Sequence, residues 1–237
     1  MASPLARQRQ AILAKQNCSA LSPRNTGDET KSLHLLLLEL DADLKTLKSF
    51  NRIEDKVQHK RDVLIPKFKP YVETYLASDE QYQNPLFSQL IIWLFDINDL
   101  DTAIDWCQQA IDREIDTPER MKRDFATFCA DEVLAWSEKM AAQGHSVEPY
   151  FSQIFTKVRE EWLINEKVTA KWFKFAGLHL LRDESGSPRA TAVGDISTLE
   201  NALALLQEAH NQYANIGVTS AIDKVLARIR AIKENRL

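Results

Sequence analysis

Glycine is scarce, with six in 237 residues, about a third of the usual frequency. That argues against a sheet protein of tight turns and favours helices, as do abundant Leu, Ala, Glu, Lys and Gln. Cysteine is scarcer: Cys18, Cys107 and Cys129 are odd in number and form no CxxC pair. No disulfide framework or zinc knuckle is expected, and the composition fits a reducing compartment. No apolar run reaches about 18 residues, so no membrane span is predicted. The N-terminal stretch lacks the apolar core of a secretory signal, so a cytoplasmic location is expected. Sequence motifs of common enzymes are also missing. There is no P-loop, GxGxxG, nucleophile elbow or HExxH, and His34, His59, His145, His179 and His210 are scattered. His179, in "FAGLHLLRD", reads as a packed helix residue.

What is present is unevenly charged. Residues 1–75 hold thirteen Lys/Arg against nine Asp/Glu, a net of +4, and residues 76–237 hold seventeen against twenty-five, a net of −8. Residues 1–27 carry Arg7, Arg9, Lys15 and Arg24 and no acid. A basic end on an acidic body suits a polyanionic partner. Residues 1–30, rich in Ser, Asn and Gln, read as a mobile basic arm with a short helix near Leu5–Lys15.

From Thr30 to about Leu64 there is neither Gly nor Pro, and Leu33, Leu36, Leu37, Leu40, Leu44 and Leu47 keep helical spacing. One helix of about 30 residues is predicted, ended by Pro66 and Pro70. Its length points to packing on a second copy of the chain through that leucine face. Lys45, Lys48, Arg52, Lys56, His59 and Lys60 recur every three or four residues beside it. Two readings stay open for this stripe: a solvated face balanced by Asp41, Asp43, Glu54 and Asp55, or a strip facing phosphates. The sequence thus divides into an arm (1–30), a long helix for oligomerisation and anion contact (31–75), and a helical-pair body (76–237).

In and just before "WLFDINDLDTAIDWCQQAID", Leu86, Leu90, Ile91, Leu94 and Phe95 mark one helix, and Leu100, Ala103, Ile104, Cys107 and Ile111 the next. Asn98-Asp99 forms the turn and cap between them. The small Ala103 and Ala110 suit close helix packing, so the pair looks tetratricopeptide-like. Further helices are expected over Phe125–Gln143 (stopped by Gly144), after a Ser146 cap, over the "NEKVTAKWFKFAGLHLL" stretch, and as a C-terminal pair joined at Asn215–Gly217. The loop "RDESGSPRATAVGD" reads as a disordered or exposed excursion. The expected fold class is all-α: a long N-terminal helix followed by antiparallel helix pairs.

Five aspartates lie within that twenty-residue stretch. An EF-hand is excluded by the apolar residue at its third ligand position and the missing glycine. Asp101, Asp105 and Asp112 share one helix side, a solvent-facing stripe, and Asp99 sits where a carboxylate favours the helix dipole. Glu54-Asp55-Lys56 lies mid-helix, without the setting a nuclease triad needs. No catalytic residue, metal ligand or cofactor is assigned.

Several phrases in order resemble the small terminase subunit family of peduovirus-type tailed phages. They are "SPLARQRQ", "DLKTLKSF", "KRDVLIPKFKPYV", "WLFDINDLDTAIDWCQQAI" with its W-x-x-D-x-x-D, "FCADEVLAWSEKMAAQGHSVEPY", "EKVTAKWFKFAGLHLLRD" and "ALALLQEAHNQYANIGVTSAIDKVLARI". The resemblance implies a DNA-packaging subunit that binds double-stranded viral genome ends, forms a homo-oligomer such as a ring, and works with a large terminase subunit in the host cytoplasm. Members are often labelled endonuclease subunits, but the residues offer no nuclease site to carry over. On this basis Arg7, Arg9, Lys15, Arg24, Lys45, Lys48, Arg52, Lys56 and Lys60 are the expected DNA contacts. Arg228, Arg230 and Lys233, or the acidic body, are expected to dock the large subunit. Two other classes remain open: a helical adaptor without DNA contact, and a metal-dependent endonuclease using Asp96, Asp99 and Asp101.

Overall fold

The computed structural model describes residues 32–78, 80–183 and 185–234. The arm and its short helix lie outside the described residues, as do Arg7, Arg9, Lys15 and Arg24. The described chain is all-α, with no strand. It divides into two units, residues 1–39 and 40–237, and the boundary falls inside helix α1 (Leu33–Ser49).

The sequence reads as one helix to Leu64, but α1 stops at Ser49 and α2 (Ile53–His59) starts after three intervening residues. Ser49 and Asn51 are short polar residues that compete with helical backbone bonding, and the Ser49 hydroxyl donates to the Thr46 carbonyl at 2.7 Å. Across the break, the Phe50 ring lies 5.1 Å from that of His59. Glu54 and Asp55 occupy the first turn of α2, where negative charge meets the positive end of the helix dipole.

The second departure concerns the prolines expected to end this helix. A π-helical turn, Lys60–Leu64, follows α2 directly and leads into α3 (Ile65–Ala77), which contains Pro66 and Pro70. A proline lacks the N–H for the helical ladder and crowds the carbonyl four residues back. The turn relieves this by widening the ladder, so that the Ile65 N–H reaches back to the Lys60 carbonyl. A Lys67–Asp43 ion pair of 2.7 Å links α3 to α1.

Helix α4 (Pro85–Asp96) is the most buried element, with Leu86, Phe87, Leu90, Ile91, Trp93 and Leu94 at most 2% exposed. It passes to α5 (Leu100–Asp112) through three residues. There Asn98 takes a left-handed φ of 59°. The Asn98 N–H donates to the Phe95 carbonyl and the Asp99 N–H to the Leu94 carbonyl, both at 3.0 Å, the paired bonds of a Schellman stop. Asp99 then caps α5 by accepting from the Thr102 N–H at 3.4 Å. A turn this short leaves α5 beside α4, and fully buried Ala103 and Ala110 form its inner face.

Helix α6 (Phe125–Ala142), capped by Asp124, ends at Gly144 as expected. Helix α7 (Tyr150–Glu160) does not start at a Ser146 cap, because Pro149 occupies the position before its first turn. The Ser146 hydroxyl instead accepts from the Glu148 N–H. Helices α8 (Glu166–His179), α9 (Ile196–Gln212) and α10 (Thr219–Lys233) complete the chain. Leu199, Ala202, Leu206, Ala209, Val225 and Ile229 form a second core cluster with Leu181.

The excursion expected between α8 and α9 is a built loop. An isolated bridge joins Arg182 to Pro188. Asp183 Oδ1 accepts from the N–H groups of Ser185 and Ser187. A 3₁₀ turn spans Ala190–Ala192. Asp195 then caps α9, its carboxylate taking both the N–H and the hydroxyl of Thr198 at 2.7 Å.

Gly177 lies where α8 meets α9. A Cβ there would come within 2.8 Å of Leu206 Cγ and 3.1 Å of the Ala202 carbonyl oxygen. Helix propensity alone gives Gly177→Ala a gain of about 1 kcal/mol. The enforced separation of the helices costs about 1–3 kcal/mol. We expect a net loss, read as a lower urea midpoint; an unchanged or higher midpoint contradicts this close approach.

Candidate nucleic-acid interface

The basic stripe survives the helix break, but its members part company. Lys45 and Lys48 are exposed on α1, Arg52 is exposed in the break, and Lys56 is half-buried on α2. None of the four makes a side-chain hydrogen bond or ion pair with the described chain. Lys60 differs: its Nζ lies 2.6 Å from Asp96 Oδ2 and its side chain is only 14% exposed. Its neighbour Arg61 donates to the Ile97 carbonyl at 2.9 Å. These two cations tie the π turn to the end of α4, a structural role that helical spacing alone did not separate from the others.

Among the balancing acids, Asp43 is drawn to Lys67, while Asp41, Glu54 and Asp55 stay exposed. The local excess of positive charge is therefore modest.

The leucine face is divided by burial. Leu36, Leu40 and Leu47 are 4%, 5% and 6% exposed within a single chain, and Leu33, Leu37 and Leu44 are half-buried. Leu35 and Leu38, absent from the expected face, are 50% and 54% exposed. Helical spacing alone could not separate the leucines that the chain buries from those it leaves exposed.

The clustered aspartates occupy the cap and outer-face positions expected of them. Asp96 pairs with Lys60, and Asp99 caps α5. Asp101 accepts from the Tyr150 hydroxyl at 2.9 Å, Asp105 from the Gln109 amide at 2.9 Å, and Asp112 from the Gln108 amide at 2.7 Å. No group of three or more His, Cys, Asp or Glu side chains among the described residues could hold a metal ion.

A second polar network, with no signature in the sequence, surrounds Arg123, which precedes α6. Its guanidinium pairs with both Asp131 and Glu132. Burial raises the Glu132 carboxyl above its ordinary range, Arg123 opposes that, and the Asp96 and Asp131 charges add to it. The pairing crosses from a loop to a helix, and no local pattern signals it.

His179 is a packed residue, as expected. It stacks on Phe175 at 5.5 Å and 15°. Burial first, and then Arg182, lower its pKa, while Glu148 acts against them. A folded-state pKa below the unfolded value means that the unfolded chain binds the proton first. The neutral ring's contribution to stability is therefore full above the ordinary histidine value of about 6.5 and is lost as pH falls towards the lower folded pKa. His179→Leu should flatten this part of the stability profile in urea melts across that window. An identical profile would contradict the assignment.

No helix among the described residues is long and apolar enough to cross a membrane. Residues 37–167 match the family model described as "Phage small terminase subunit". The chain is 33% identical over 231 residues to the "Probable terminase, endonuclease subunit" of Haemophilus phage HP1 (strain HP1c1), covering 97% of this chain and 82% of that protein. It is 26% identical over 190 residues to the "Terminase, endonuclease subunit" of Escherichia phage P2, covering 80% and 71%. No solved structure matches.

Proposed function

The chain belongs to the phage small terminase subunit family, and from that premise we propose that it binds the ends of the double-stranded viral genome. It self-associates there, in the host cytoplasm, and directs cohesive-end cutting and packaging together with a large terminase subunit. The observation that carries the DNA reading is the set Lys45, Lys48, Arg52 and Lys56, cations free of protein partners near the basic end of an acidic chain. Arg7, Arg9, Lys15 and Arg24 extend this set in the proposal. Lys60, held by Asp96, supports the fold instead.

Self-association falls to the part of the leucine helix that the chain does not bury for itself. Leu35 and Leu38, with Leu33 and Leu37 beside them, are the proposed contacts. Several copies would then multiply weak phosphate contacts by avidity.

A gel shift on genome-end duplex beside an unrelated duplex, run over a salt series, tests the reading. Binding that weakens steeply with salt supports it, and no binding at low salt removes it. The names of the two relatives favour a second reading, in which the chain itself hydrolyses DNA. Magnesium-dependent cutting by the purified chain without the large subunit would establish that. Binding without cutting assigns hydrolysis to the large subunit.

A further inference from the structure

We infer that the cleft between α10 and the loop before α9 is a docking site for an acidic, partly apolar peptide segment of a partner protein. It measures about 520 Å³, within the size range of built ligand pockets. Its apolar lining comes from Pro188 and Ala190 on the loop and Ala227 and Ala231 on α10. The two α10 alanines are one turn apart, so nothing larger than a methyl group fills that side of the groove. The opposite face of α10, with Val225 and Ile229, is committed to the core.

The charge at this cleft has one sign. Arg189, Lys224 and Arg228 contribute to its lining, and no carboxylate does. Arg228 is fixed by its Nε donating to the Val193 carbonyl at 3.1 Å, which also holds the loop against the helix. Arg189 is 65% exposed, and its partner Asp183 lies 3.3 Å away. Asp183 lies outside the lining and offsets part of the Arg189 charge, which leaves Lys224 and Arg228 as the unbalanced cations of the cleft. Lys224 is exposed and has no side-chain partner. Like charges brought together repel one another, and an anionic occupant removes that cost.

Shape and lining favour a peptide over a nucleic-acid backbone. Phosphates demand accessible charge along an extended surface, whereas this site is concave and its lining is mostly small and apolar. A segment alternating carboxylates with aliphatic side chains satisfies both parts of it. The inference does not rest on the DNA reading, which concerns Lys45, Lys48, Arg52 and Lys56.

The test uses the full chain and two short fluorescein-labelled peptides, one alternating glutamate and leucine and the other lysine and leucine. Anisotropy should show binding of the glutamate peptide alone. Lys224→Glu, which reverses an exposed charge, and Ala227→Trp, which fills the cleft without changing charge, should each weaken it about tenfold or more. Duplex affinity and far-UV helicity should stay at wild-type values. Failure of the glutamate peptide to bind the wild-type chain overturns the inference. So does equal binding by wild type and Ala227→Trp, which would reduce the site to surface charge. A loss of duplex affinity in these variants would identify a phosphate face instead and likewise overturn it.

Discussion

Reversing Lys45, Lys48, Arg52 and Lys56 to glutamate should flatten the salt dependence of duplex binding by about 3.6 in log–log slope. Each neutralised phosphate contributes about 0.9 to that slope. Four contacts therefore correspond to about a hundredfold fall in affinity between roughly 50 and 200 mM salt. The variant should bind at least about that much more weakly at the low-salt end, and adding salt should change its binding far less. All four side chains lack protein partners, so the melting profile should barely move, as is usual for surface substitutions.

Lys60→Ala provides the contrast within the same stripe. Its side chain is 14% exposed and its Nζ lies 2.6 Å from the more exposed Asp96, and losing it leaves that carboxylate without its cation near Glu132, whose own carboxyl already feels the Asp96 charge. The expected result is lower stability with the salt slope unchanged. If the fourfold variant keeps the wild-type slope, or if Lys60→Ala alone reproduces the flattening, the assignment of the stripe fails.

These contrasts mark what the sequence could and could not convey. The α4–α5 unit was readable because its determinants are local: Asn98 and Asp99 provide the stop and the cap, and apolar spacing marks both helices. The break at Phe50–Arg52 was missed because no Gly or Pro announces it. It arises from two weak polar residues and from Phe50 meeting His59 across the gap. Pro66 misled in the opposite direction, since a π turn absorbs the missing donor and lets the helix run on.

The loop before α9 reads as a disordered or exposed excursion from its Ser, Gly and Pro; it is largely exposed, and two of its serines supply the Asp183 turns that order it. Lys60 and Lys56 occupy equivalent places in the stripe, and only the approach of Asp96 from a different helix separates them. For Lys60 a contact distant in sequence decided the outcome. The same applies to Leu36, Leu40 and Leu47, which spacing alone could not distinguish from an exposed oligomer face.

Trp172→Ala should be among the most destabilising single substitutions in the chain, while Trp172→Phe should be mild. The indole on α8 is fully buried. It is stacked against Phe151 at 5.5 Å and 17° and against Phe155 at 6.1 Å and 9°. Truncation to alanine removes both stacks and leaves a cavity that the flanking helices close only in part, at a cost of about 3–5 kcal/mol. Total stability for a domain is about 5–15 kcal/mol, so the urea midpoint should drop steeply while the slope of the transition stays unchanged.

Phenylalanine keeps one aromatic face for each stack and gives up only the second ring. No group among the described residues accepts from Trp172 Nε1, so the swap breaks no hydrogen bond there and removes a buried donor that would cost about 1–3 kcal/mol if unsatisfied. The two terms oppose each other, and the net loss should stay well below that of the alanine variant. Equal losses for Phe and Ala would show that the second ring of the indole, rather than the two aromatic stacks, holds α7 and α8 together.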